Sequence, residues 1–186
     1  DGNSFDEIIE IGAVKTDEEY RQIDGFRRLI RPVIYRKMNP YIQKILAITM
    51  KDLQGEEPLA SVAKAFFDWC GDCDTLIAWS GNDFGVLEKN LAHIGMKIPE
   101  QLGRYDVQMA YAYRTENSIR NYALKAAVEA MELPEPEGQE YHDAYCDAQF
   151  TAAIGRALTE RYGPLPAVEE LQALKNTLVK PKKPKL

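Results

Sequence analysis

Residues able to do chemistry concentrate in one short stretch, Tyr141-His142-Asp143-Ala144-Tyr145-Cys146-Asp147-Ala148. It opens a helical pattern in which Cys146, Phe150, Ala153, Ile154, Ala157 and Leu158 recur at steps of three and four, making one apolar face. Asp147 lies seven residues before Ile154, two turns back and about 20° off that stripe. An ionised carboxylate beside a buried stripe is costly unless a positive charge meets it, and a metal ion is the usual solution. His142 stands about 140° round the helix from Asp147, which places it in the approach or first turn. A carboxylate fixed on a helix and an imidazole on its approach suit a metal ligand plus a general base. The same residues also admit a structural reading: Asp143 as an N-cap, Asp147 solvated and His142 an ordinary loop histidine.

A second acidic residue sits in a comparable setting. Thr75-Leu76-Ile77-Ala78-Trp79 has the composition of a buried strand, and Phe84, Leu87, Leu91 and Ile94 follow at helical spacing. Between them lies Ser80-Gly81-Asn82-Asp83. Strand, glycine-containing turn and helix put Asp83 at the carboxyl end of a strand, where open α/β sheets hold their sites. An N-cap role for Asp83 accounts for it equally well without chemistry.

The remaining pattern supplies the scaffold. Ile8-Ile9-Glu10-Ile11-Gly12-Ala13-Val14 reads as a buried strand, Lys15–Glu19 as a polar turn, and Tyr20 to Ile30 as a returning strand of a hairpin ending at Pro32. Asn39 to Leu53 is expected to be helical in part, with Thr49 as a cap, and a further helix carries Leu59, Val62, Ala63, Phe66 and Phe67 after Pro58. Arg104 to Ala112 holds a short strand or a helix start, and Asn121 to Met131 a helix. A Pro-, Glu- and Gly-rich loop from Leu133 to Gln139 leads into the His142 stretch. The expected organisation is one domain over residues 1–163, a C-terminal helix over 164–179 and a basic tail over 180–186.

The 186 residues suffice for one substantial core, and 45% hydrophobic with 28% charged residues is ordinary for a globular protein. No apolar run approaches membrane-spanning length and no leader pattern opens the chain, so no membrane association is expected. Three cysteines without disulfide density point to a reducing, cytoplasmic setting. The net charge of −6 divides into −11 for residues 1–174 and five lysines, with no acid, over 175–186. An acidic body disfavours broad electrostatic capture of nucleic acid, while surplus carboxylates suit a divalent-cation site.

Asp83 after a strand, then His142 and Asp147 at H-x-x-x-x-D spacing, resemble the second and third motifs of the DEDDh 3′–5′ exonucleases. This is the family of RNase T and of the polymerase III proofreading subunit. The resemblance takes in Ile8–Val14 and Leu124-Lys125-Ala126-Ala127 and spans roughly residues 5 to 158. Trp79-Ser80-Gly81-Asn82-Asp83 is more similar to the branch that trims histone mRNA and small RNAs than to the proofreading branch.

The resemblance implies an α/β fold: an RNase H-like mixed β-sheet flanked by α-helices. It also implies two ions, Mg2+ or Mn2+, held about 3.5–4 Å apart by carboxylates, with Asp83 and Asp147 as metal ligands and His142 as general base. Ile48, Trp79 and Asn82 would meet the nucleic acid. The substrate implied is a single-stranded RNA or DNA 3′ end, RNA slightly favoured, released as 5′-mononucleotides. The family's first motif, Asp-x-Glu on the first and central strand, is absent; Asp1, Asp6, Glu7 and Glu10 lack its spacing. Residues further upstream, or a partner's strand, are therefore expected to complete the sheet. The alternative is a nuclease-like module that binds nucleic acid or protein without catalysis.

Other motifs are weaker. Cys70-Gly71-Asp72-Cys73 closes a helix and precedes a strand, the reverse of a thioredoxin arrangement, and there the helix dipole opposes a thiolate. His142-Asp143 lacks the further histidines and later aspartate of an HD phosphohydrolase, since His93 is the one other histidine.

Overall fold

The computed structural model describes residues 5–46, 48–134 and 143–178. His142, the basic tail and most of the loop before the His142 stretch lie outside these residues.

The N-terminal hairpin forms as its alternation requires. Strand β1 (Glu10–Thr16) pairs antiparallel with β2 (Gln22–Leu29), Gly12 opposite Arg27 and Ala13 opposite Phe26. Compared with the sequence expectation, β1 starts two residues later than Ile8. Its predecessors are instead tied to a helix: the buried Asn90 side chain accepts from Ile8 N (3.1 Å) and donates to Asp6 O (2.7 Å).

Period-two alternation then assigns the two faces of the hairpin. Ile11, Ala13 and Phe26 turn into a core built with Val62, Ala63 and Phe66 of α3 (Leu59–Cys70) and Leu91 of α4 (Gly81–His93). Glu10, Gly12, Gly25 and Arg27 occupy the opposite face, beneath α7 (Ala144–Tyr162). A Cβ at Gly12 would overlap the backbone of Ala144 and Tyr145, and one at Gly25 the Tyr145 phenol. Glycine at these two places therefore lets the helix start lie directly on the strands.

The segment expected to be partly helical resolves into α1 (Pro40–Leu46) and α2 (Met50–Leu53). Thr49 caps α2 through a reciprocal arrangement with Asp52. Strand β3 (Thr75–Ala78) pairs in parallel with β4 (Gly103–Asp106), which runs straight into α5 (Val107–Glu116). The Arg104–Ala112 stretch thus contains both of the elements it suggested. Helices α6 (Leu124–Ala130) and α8 (Val168–Leu178) complete the set.

A second core joins Val107, Ala110 and Tyr111 of α5, Ala127 and Val128 of α6, Phe150, Ile154 and Leu158 of α7, and Leu171 of α8. The result is a mixed α/β domain, antiparallel in one ladder and parallel in the other. Among the described residues the two ladders are separate two-stranded sheets. No described helix is long and apolar enough to cross a membrane.

Candidate active site

Helix α7 starts as its sequence dictates. Asp143 is the N-cap: its Oδ1 accepts from Tyr145 N (3.1 Å) and Cys146 N (3.0 Å). Its other oxygen accepts from Arg27 Nη2, and the same guanidinium donates through Nε to Glu10 Oε1 at 2.8 Å. Glu10 keeps only 7% of its side-chain surface exposed, against 50% for Arg27. The Arg27 charge therefore compensates two carboxylates, one of them almost fully covered, and ties β1 and β2 to the first turn of α7. Asp147 lies in that turn, where the helix dipole favours an anion. The thiol of Cys146 is raised above its ordinary range by burial and by the Asp143 carboxylate.

Helix α4 starts differently. Ser80, not Asp83, is its N-cap, with Oγ accepting from Asn82 N at 3.2 Å. That corrects the capping alternative for Asp83, which stands in the first turn instead. Next to it Asp106, the N-cap of α5, accepts from Met109 N (2.9 Å) and reaches over to Gly81 N (2.9 Å). One carboxylate thereby joins the starts of two helices.

Asp83 is exposed to water, yet neighbouring protein removes part of its solvation. This loss of solvation raises its pKa; the Ser80 backbone amide opposes the shift and the Asp106 charge adds to it. No cation pairs with Asp83 among the described residues. A desolvated carboxylate beside a second carboxylate, without a counter-charge, is a setting that a divalent cation relieves. Its donors are hard oxygens, suited to Mg2+ or Mn2+ rather than zinc. Among the described residues, however, no group of three or more His, Cys, Asp or Glu side chains is gathered to hold a metal.

Of the expected nucleic-acid contacts, Asn82 is exposed in the first turn of α4 and Ile48 is half-buried just before α2. Trp79 turns inward. Its Nε1 donates to Tyr122 O (3.0 Å) and its ring lies 5.8 Å from that of Tyr111. Sequence reasoning did not single out Arg27 or Asp106. The signal for Arg27 lay in Gly12: a glycine within an apolar strand marks close backbone approach, and so a partner above that face. The Cys70 thiol is pushed up to about 11, by burial first and by Cys73 second, which agrees with an inert rather than a redox cysteine.

Parallel β3–β4, flanking helices and a carboxylate in the first turn of both α4 and α7 define a mixed α/β domain with two acidic helix starts. The exonuclease family model of RNase T matches residues 2–154, and the chain belongs to that family. A search of curated proteins finds no match.

Among solved structures, a full-length 3′-exonuclease is similar over 89% of this chain and 77% of its own, with a TM-score of 0.79 and 16% identity. The nuclease domain of 3′hExo, a DEDDh family member bound to rAMP, gives 0.71 and 16% identity, covering 89% of this chain and 87% of that one. Exonuclease X bound to 5′-overhanging duplex DNA gives 0.64 and 20% identity, covering 90% of each. At these identities the likeness establishes the fold.

Proposed function

We propose that this domain is a DEDDh-type, metal-dependent 3′–5′ exonuclease acting on single-stranded nucleic acid. The reading is carried by Asp83 and Asp147, each in the first turn of a helix, in a chain matched by the exonuclease family along most of its length. The cation-hungry setting of Asp83 supports a metal role for it.

When bound, two divalent ions supply charge relief at the phosphate and a more acidic attacking water. In this reading Asp83 and Asp147 hold them through carboxylate oxygens. His142 takes the proton of the attacking water on an imidazole nitrogen. Ile48 and Asn82 meet the terminal nucleotide, with Trp79 packed inward behind them, and 5′-mononucleotides leave. RNA is slightly favoured over DNA on the strength of the Trp79–Asp83 stretch. Three free cysteines fit a cytoplasmic setting.

The second reading is a binding module without catalysis, favoured by the absence of a three-donor group among the described residues. These 186 residues supply two of the four carboxylates that the family resemblance implies. Accordingly, they are expected to bind Mn2+ weakly and to shorten a labelled strand slowly. The same chain, lengthened at its N-terminus by a strand carrying Asp-x-Glu, should digest the strand from its 3′ end, and Asp83→Asn should abolish this. A lengthened chain inert toward both RNA and DNA would favour the binding module.

A further inference from the structure

The acidic average conceals a basic segment. From Phe26 to Lys51 there are seven Lys and Arg and no Asp or Glu, whereas residues 52–174 hold nine cations against 21 acids. Arg27 is committed to Glu10 and Asp143, and Arg28 lies over the Phe26 ring. Arg31, Arg36, Lys37 and Lys44 are exposed and form no ion pair among the described residues.

Aromatic rings alternate with these charges: Tyr35 is 46% and Tyr41 70% exposed. Helix α1, which carries Tyr41 and Lys44, has no buried residue. Despite this exposure the segment is anchored. The Glu7 carboxylate accepts from the backbone amides of Val33 (2.5 Å), Ile34 (3.0 Å) and Tyr35 (2.9 Å), and Asn39 Oδ1 accepts from Tyr41 N (2.9 Å). Those bonds fix the coil that presents the charges and rings, lowering the ordering cost of binding.

We propose that residues 31–44 form a track for single-stranded nucleic acid. Unpaired cations spread along a coil suit a flexible phosphate backbone, and exposed tyrosines suit stacking of splayed bases. Three of the four cations lie outside any helix, so they do not form the single charged helix face that a lipid surface requires. The track begins four residues beyond Arg27, whose guanidinium holds the start of the helix bearing Asp147. The proposal rests on the nuclease reading for the purpose of the track, but its test needs no cleavage.

The test is fluorescence anisotropy of the 186-residue chain with fluorescein-labelled single strands of about 12 nucleotides, matched in RNA and DNA, in EDTA and across a salt series. Reversing Arg36, Lys37 and Lys44 to Glu should weaken binding about 100-fold at low salt and lower the log–log salt slope by about 2. Tyr41→Ala should weaken binding about tenfold with the slope unchanged. These side chains are exposed, so both variants should melt as the parent does.

Three outcomes overturn the proposal: a parent that does not bind, a triple variant with unchanged affinity and slope, or displacement by polyglutamate as effective as by unlabelled strand. The last would assign the surface to an acidic protein. Loss of metal-dependent shortening with intact anisotropy sinks the nuclease reading alone; the converse sinks the track alone.

Discussion

At the start of α7 the charges close on themselves: Asp143 caps the helix, and Arg27 meets both Asp143 and the covered Glu10. At the start of α4 they do not. Asp83 is crowded by protein, faces Asp106 and has no cation beside it among the described residues. The first arrangement holds a helix in place on a sheet. The second makes Asp83 costlier to ionise, and under the proposed function a bound cation would relieve that cost. Two helix starts of similar appearance in the sequence therefore differ in charge: at one the Asp143 and Glu10 carboxylates meet Arg27, at the other Asp83 meets no cation among the described residues.

The firmest way to break the α7 side is Gly12→Ala. The added methyl overlaps the backbone of Ala144 and Tyr145, and neither strand nor helix start can yield without moving the other. We expect a loss of about 3 kcal/mol, read as a lowered melting temperature with detachment of the α7 start visible in amide exchange.

Arg27→Met comes next, at about 2 kcal/mol after allowance for a half-exposed guanidinium. It strands Glu10 as a covered anion, so adding Glu10→Gln should recover part of the loss. No recovery in the double variant would show that Arg27 acts through packing rather than charge.

On the α4 side the effects are smaller and depend on pH. Asp83 has a folded-state pKa above its unfolded value, so the folded protein favours the protonated form. The associated stability is fully present below the ordinary carboxylate value of 3.8 and is lost as pH rises through the folded-state pKa. Asp83→Asn removes that loss. In EDTA it should match the parent at the acid end and be more stable at neutral pH by under about 1 kcal/mol, with thermal melts as the readout. A variant less stable than the parent at neutral pH would place Asp83 among satisfied carboxylates.

Smallest is Asp106→Asn, whose single amide oxygen can keep the Met109 cap but not also the Gly81 bond, and which deletes the neighbouring charge. The lost bond is exposed, so the stability change should be about 0.5 kcal/mol, while the Asp83 titration, followed by carboxyl carbon NMR, moves toward the ordinary value.

Much of this was legible in residue spacing. The α7 stripe, the α3 helix after Pro58, the strand–turn–helix around Asp83 and the hairpin all follow from local periodicity, and each element forms near its expected position. Legibility fails where the cause is non-local. The Glu10–Arg27 pair depends on strand register, which sets Gly12 rather than Glu10 opposite Arg27 and leaves the pair diagonal. Ser80 takes the cap that Asp83 was equally suited to fill, and the helix starts three residues earlier than a cap at Asp83 would give. The inward set of Trp79 rests on Tyr122 and Tyr111, 43 and 32 positions away in the chain. Segment 26–51 escaped notice because whole-chain charge averages it against the acids that follow.

The most direct test of the central claim, that Asp83 and Asp147 converge on the same divalent cations, is Mn2+ binding followed by electron paramagnetic resonance. The parent chain should deplete the free-ion signal, and Asp83→Asn and Asp147→Asn should each weaken that binding by about tenfold or more. Equal depletion by the parent and either variant, or no depletion by the parent at millimolar protein, would contradict it.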